Sequence, residues 1–222
     1  MAVYGGPEIT TSGLVLYLDA ANSKSYPGTG TVWTDLSTQG NNGTLTNGPV
    51  YSSANKGSIV FDGTNDYVNC GNNSSLNINT GSILAWVKTT SPGSSYRGII
   101  VKQSNYGLFA ADGTLVTYDW GNNLGRFTGQ RIDNGRWNFI AMSFSNNVGT
   151  PSNNAIIYLN GASVLTTTIK YSNNNQSVEI GRGSINIQQI NANISNVMVY
   201  NIVLSAKEIL QNYNALKGRY GL

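Results

Sequence analysis

The chain has 222 residues, 40% of them hydrophobic and only 10% charged, with a net charge of +3 and no histidine. An average soluble domain is charged at about one residue in four, so Asn (about one residue in seven), Ser, Thr, Gly and Gln must supply the polar surface. With the basic residues scattered from Lys24 to Arg219 there is no cationic stripe for nucleic acid, and no run approaches the roughly 20 apolar residues of a membrane-spanning helix.

Residues 1–12 lack periodicity and are expected to form an N-terminal arm. They carry neither a basic start nor an apolar core, so the reading expects no secretory signal and synthesis in a cytoplasm. From residue 13 onward, short apolar runs alternate with Gly/Asn/Ser/Pro punctuation. Leu14–Leu18, Ser58–Phe61, Tyr67–Cys70, Ile83–Val87 and Gly98–Val101 come first. Tyr106–Phe109, Leu115–Tyr118, Trp137–Phe144, Ala155–Leu159, Ser163–Ile169, Val178–Ile180 and Ile194–Tyr200 follow. Their length, β-branched and aromatic content and regular spacing predict strands of a sandwich. Asn160-Gly161 marks a hairpin. In Ile194–Val199 the alternation breaks once, as a bulge would break it. The stretches 145–154 and 171–177 read as surface loops.

One helix is predicted, opened by the capping box Ser205-Ala206-Lys207-Glu208, with Ile209, Tyr213 and Leu216 on its apolar face, Lys217 in its last turn and Gly218 at its C-cap. Cys70, the one cysteine, excludes an internal disulfide and reads as a small buried residue.

The landmarks Phe61-Asp62-Gly63-Thr64-Asn65-Asp66-Tyr67-Val68, Ile83–Lys88, Gly135-Arg136-Trp137, Tyr158-Leu159-Asn160-Gly161, Ile194–Asn201 and Leu204-Ser205-Ala206-Lys207-Glu208-Ile209 occur in the order seen in laminin-G-like proteins. The chain from Gly13 to Arg219 thus resembles the laminin-G-like, concanavalin A-like lectin/glucanase superfamily. The resemblance implies an all-β fold, a two-sheet antiparallel jelly-roll sandwich, spanning residues 13–222 with the short helix at its end. The segments Gly13–Asn22, Trp33–Ser37, Asn41–Leu45 and Gln211–Tyr220 further resemble laminin-G-like virion proteins of tailed bacteriophages. That likeness implies a structural component of a virion, a capsid decoration or tail-associated protein, made in the host cytoplasm. Its partners would be other virion proteins, cell-surface glycans and, as a homo-oligomer, further copies of the chain. The alternative is a lectin-like module not tied to a particle.

Catalysis is not expected. Retaining glycosidases need two carboxyl groups about 5–5.5 Å apart. The three glutamates, Glu8, Glu179 and Glu208, are dispersed, and no Glu-x-Asp or Glu-x-Glu pair exists. Asp62, Asn65 and Asp66 are candidate Ca²⁺ ligands, because carboxylate and amide oxygens suit a hard cation. The competing reading makes them a turn that bonds its own backbone. Asp19, Asp112, Asp119 and Asp133 are further oxygen donors. For carbohydrate, Trp120 is the leading candidate platform, with Tyr96 and Tyr106 behind it, while Trp86 and Trp137 read as core and Trp33 as the anchor of the first loop.

Overall fold

A computed structural model describes residues 7–145, 153–170, 175–183 and 188–222. The loops expected at 145–154 and 171–177 fall largely outside the described residues, as do residues 1–6 of the expected arm.

Two antiparallel sheets, each of eight strands among the described residues, face one another. The first contains β1 (Leu14–Asp19), β4 (Val50–Ser52), β5 (Ser58–Asp62), β7 (Thr80–Lys88), β12 (Trp137–Ser145), β13 (Ala155–Leu159), β14 (Ala162–Thr167) and β16 (Asn191–Tyr200). Its order is β14-β13-β12-β7-β16-β5-β4. On one flank of β16, β5 pairs with Asn191–Ile194 and β1 with Asn196–Tyr200. The second sheet contains β2 (Val32–Trp33), β3 (Gly43–Thr46), β6 (Tyr67–Asn69), β8 (Tyr96–Lys102), β9 (Tyr106–Ala111), β10 (Thr114–Asp119), β11 (Leu124–Arg131) and β15 (Val178–Ile180), in the order β11-β10-β9-β8-β15-β6-β3-β2.

Leu16, Leu18, Ile59, Phe61, Ile83, Ala85, Val87, Ile140, Met142 and Phe144 from the first sheet interdigitate with Val68, Ile100, Tyr106, Leu108, Ala110, Leu115 and Ile180 from the second. Successive strand residues point to opposite faces, so the intervening residues of the first sheet lie outside this core. They are apolar as well: Leu84, Trp86, Phe139, Ala141, Met198 and Tyr200. The C-terminal helix α1 (Ala206–Leu216) covers them with Ile209 and Leu216. This second cover explains why β7 and β12 are apolar almost throughout rather than cleanly alternating.

Local chemistry sets the connections. Asn160 and Gly161 join β13 to β14 with φ of 52° and 84°, the two positive values a two-residue type I′ turn demands. The break in β16 is a register shift against β7 between Ile194 and Asn196, where the Ser195 hydroxyl donates to the Gly57 carbonyl at 2.6 Å. The capping box forms: the Glu208 amide donates to Ser205 Oγ, and Glu208 Oε2 accepts from the Ser205 amide.

Two expectations change. The helix does not end at Gly218. It tightens into a 3₁₀ turn over Lys217–Tyr220 and stops at Gly221, at φ 73°, because the extra turn carries Tyr220 onto Trp86 at 4.2 Å between ring centroids. Residues 7–12 also do not stand away as an arm. The Thr10 amide donates to Asn212 Oδ1 of α1, Tyr200 donates to the Thr10 carbonyl, and Gln211 donates to the Glu8 carbonyl.

Candidate functional site

The outward faces of the two sheets differ. The helix covers the middle of that of the first, whereas that of the second, over β8, β9, β10 and β11, carries an open cleft of about 190 Å³. Tyr96, Phe109, Tyr118, Trp120, Gln103, Asn123 and Gln188 line it. Tyr96 meets Tyr118 edge-on at 5.3 Å and Phe109 at 6.0 Å. Trp120 lies 5.5 Å from Tyr118 and 6.1 Å from Phe109. Phe127, half exposed on the edge strand β11, extends the ring cluster at 6.1 Å from Tyr96. Edge-to-face contacts of this kind fix ring planes, so the cleft wall is preformed.

Spacing at the end of β10 produces the pair Tyr118 and Trp120, the latter one residue beyond the strand, since residues two apart in extended chain share a face. The turn beyond it is clamped by Asp119, which is fully buried. Its carboxylate accepts from the Asn122 amide and side chain, from Arg126 at 2.7 Å and from the Lys170 amide at 3.0 Å. Gly125 on β11 leaves room for Tyr96, because a methyl group there would overlap the Tyr96 hydroxyl.

The lining is uncharged. Burial first, and the neighbouring Tyr118 second, push the Tyr96 phenol above its ordinary value, so at neutral pH it stays a neutral donor. Tyr118 donates to Asn123 Oδ1 at 2.5 Å. Gln188, on the cleft wall, packs its side-chain amide against Gly183. Apolar ring faces with a few amide and phenol groups can hold a small polyhydroxylated ring in one orientation.

Burial alone would raise the Asp119 carboxyl, but the hydrogen bonds from Asn122, Arg126 and Lys170 outweigh it and hold the pKa below its ordinary value. A carboxyl depressed in the native state contributes stability that is complete above its unfolded pKa of about 3.9 and disappears as pH falls through the native value. Asp119→Asn is therefore expected to cost about 1–3 kcal/mol at neutral pH. The gap from the unsubstituted chain should close at strongly acidic pH, as urea melts at both pH values will show.

The sequence candidates separate. Trp120 and Tyr96 meet in the cleft. Tyr106 does not join them: it is fully buried between the sheets, 5.7 Å from Phe144, and donates to the Leu76 carbonyl at 3.0 Å. It lies three residues before Phe109, hence on the opposite face of β9. Phe109, Tyr118, Phe127, Gln103, Asn123 and Gln188 were not singled out by the sequence.

Asp62, Asn65 and Asp66 do share one loop. Asp62 Oδ1 accepts from the Thr64 amide at 2.7 Å, Asp66 Oδ2 from the Asp62 amide at 3.1 Å, and the Asn65 carbonyl from Asn47 Nδ2. Both carboxylates thus bond the loop backbone. Burial, with a smaller contribution from the Asp62 charge, raises the Asp66 carboxyl pKa against that bond. Among the described residues, no three His, Cys, Asp or Glu side chains cluster as a metal site. Of the other oxygen donors, Asp19 pairs with Arg219 and Asp133 with Arg131, while Asp112 accepts from the Ser95 amide. Cys70 is free, and burial pushes its thiol far above the ordinary range.

Comparison with known proteins places this geometry. No curated protein sequence is significantly similar to the chain. Among solved structures, the binding domain of Paraclostridial Mosquitocidal Protein 1 superposes with a TM-score of 0.70 at 16% identity, over 91% of this chain and 52% of that one. Trypanosoma rangeli sialidase in complex with sialic acid gives 0.69 at 13% identity, over 99% and 35%. This chain therefore spans about half of the first structure and a third of the second. Domain 4 of AbnA, a GH43 extracellular arabinanase from Geobacillus stearothermophilus, in complex with arabinotriose, gives 0.67 at 16% identity over 92% and 100%. At these identities the likeness is one of fold. The sequence profile of the concanavalin A-like lectin/glucanases superfamily matches residues 62–210, and the chain belongs to that superfamily.

Proposed function

We propose that the chain is a non-catalytic glycan-binding module that takes one neutral sugar unit in the aromatic cleft of the second sheet. The observation that carries this reading is the preformed, uncharged ring cluster of Tyr96, Phe109, Tyr118 and Trp120, left open while the opposite sheet is covered by a helix. Its volume, about 190 Å³, is below that of drug-sized pockets and suits a single ring. The arabinanase domain of similar fold holds arabinotriose, which supports the same ligand class here. The disposition of the acids supports binding without hydrolysis. No carboxylate lines the cleft, Glu179 is paired with Arg182 at 2.5 Å, and Glu208 serves the helix cap.

Glycan-array binding by the intact chain tests the reading. Trp120→Ala removes a ring at the centre of the contact and is expected to weaken binding by roughly thirtyfold. Silence across a broad array of neutral glycans would contradict it.

The wider setting we propose is a virus particle. The resemblance of Gly13–Asn22 and Gln211–Tyr220 to phage virion proteins supports it, and so does a surface built from amides and hydroxyls rather than charges. Purified particles should then carry the chain at a regular copy number. Recovery only as free soluble protein would count against that setting, though not against glycan binding.

A further inference from the structure

A second groove lies across the molecule from the cleft, at the end of β7 and β12 beside the C-terminal turn. Its volume is about 390 Å³, and Lys88, Arg136, Trp137, Tyr220 and Asn55 are among its lining residues. The register pairs Trp137 with Lys88 and Lys88 with Asn193, so these three side chains share the outward face of the first sheet. Trp137 and Tyr220, 4.8 Å apart, are both more than nine-tenths buried.

Three features make the groove unfinished. The first is Arg136. Five of the six arginines have side-chain partners: Arg97 donates to the Ser94 carbonyl, and Arg126, Arg131, Arg182 and Arg219 pair with carboxylates. Arg136 has none among the described residues. The second is Lys88, which pairs with no carboxylate side chain among the described residues. The nearest acid in the register, Asp62 opposite Asn191, bonds the Thr64 amide. The third is the Trp137 indole N–H, which is buried without an acceptor among the described residues. An unpaired guanidinium, an ammonium and an orphaned donor around one concavity call for an oxyanion. A guanidinium presents its donors in a fork that matches a carboxylate.

Lys88 also borders a neighbouring depression of about 130 Å³, lined by Thr89, Thr90 and Asn191–Asn193. Thr90 and Asn191 are exposed there, and such hydroxyl and amide groups suit sugar hydroxyls. We infer that this groove binds an acidic saccharide, with the carboxylate of a uronate unit on Arg136 and Lys88 and its neutral neighbour over Thr90 and Asn193. The site is independent of the aromatic cleft and does not rest on the function proposed for it.

Calorimetric titration of the intact chain with a diuronate tests the assignment. Binding is expected to weaken with added salt and to disappear when the uronate is methyl-esterified. Arg136→Gln, which removes no side-chain hydrogen bond or ion pair among the described residues, should weaken binding at least roughly tenfold. Trp120→Ala should leave it unchanged. Absence of diuronate binding, or equal affinity in Arg136→Gln, would overturn the inference. So would inorganic sulfate binding as tightly as the diuronate, which would reduce the groove to a point charge. Tighter binding of a glutamyl dipeptide would instead assign it to peptide.

Discussion

Trp86→Ala is expected to destabilise the fold by about 3–5 kcal/mol, the usual cost of deleting a fully buried large aromatic side chain. Trp86 is inaccessible to solvent and is the hub of the seam between the first sheet and the C-terminal segment. Its ring stacks on Tyr220 at 4.2 Å and on Tyr213 at 5.6 Å, and meets Phe139 at 5.4 Å. The indole N–H has no acceptor among the described residues, so the loss is one of packing. Since the cavity opens beneath α1 and not between the sheets, the helix and the 3₁₀ turn should lose amide-exchange protection first. Urea unfolding gives the magnitude, and hydrogen exchange gives the place. A loss below about 1 kcal/mol would mean that the seam repacks and that the helix is not held there.

Arg219→Met should cost a comparable amount, about 3–5 kcal/mol, for an electrostatic reason. Arg219 Nη1 lies 2.7 Å from Asp19 Oδ1, and Asp19 is 1% exposed. Breaking a buried pair from one side leaves the other charge desolvated and uncompensated. Asp19 would keep only the Tyr17 hydroxyl at 3.1 Å and the Ala21 amide at 3.0 Å. Burial, with the Asp19 charge and the Tyr17–Asp19 bond adding to it, already pushes the Tyr17 phenol far above its ordinary value, so that hydroxyl remains a donor and cannot supply the missing charge. The double variant Asp19→Asn/Arg219→Met should recover much of the loss, because it removes the stranded carboxylate. Urea melts of both variants check this. A single variant as stable as the unsubstituted chain would show that the carboxylate is solvated after all.

The two substitutions bear on one architectural point: the C-terminal segment belongs to the fold of the first sheet. The sequence pattern made part of this legible. Ser205-Ala206-Lys207-Glu208 announced the helix start because the capping box is a local device, and Asn160-Gly161 announced its hairpin for the same reason. The interruption after Ile194 carried the bulge. Trp86 and Trp137 were readable as buried, but not as lying under a helix. Both faces of β7 are apolar, and alternation then says nothing about which face meets which layer.

The same ambiguity explains Tyr106. In Tyr106-Gly107-Leu108-Phe109 both parities carry an aromatic ring, and only the packing of Leu108 and Ala110 into the core turns Tyr106 inward and Phe109 outward. Trp120 was legible from its place at a strand end before an Asn-Gly-rich loop. Tyr118 was available from the same i, i+2 spacing. Gln103 and Gln188 were not, because the turn after β8 and the return of the chain before β16 bring them beside these rings without any hydropathy pattern. The residues before Gly13 read as an arm for want of periodicity, and three side chain–backbone bonds fasten residues 8–10 to α1 and β16. Hydrogen bonds of that kind leave no hydropathy pattern.

The most direct test of the aromatic cleft is nuclear magnetic resonance of the aromatic-labelled chain, titrated with a panel of neutral mono- and disaccharides. The cleft account predicts that at least one sugar shifts the ring signals of Tyr96, Phe109, Tyr118 and Trp120 together, leaves Tyr106 and Trp86 in place, and loses its effect in Trp120→Ala. Shifts centred elsewhere on the molecule, or none with any sugar at high concentration, would contradict it.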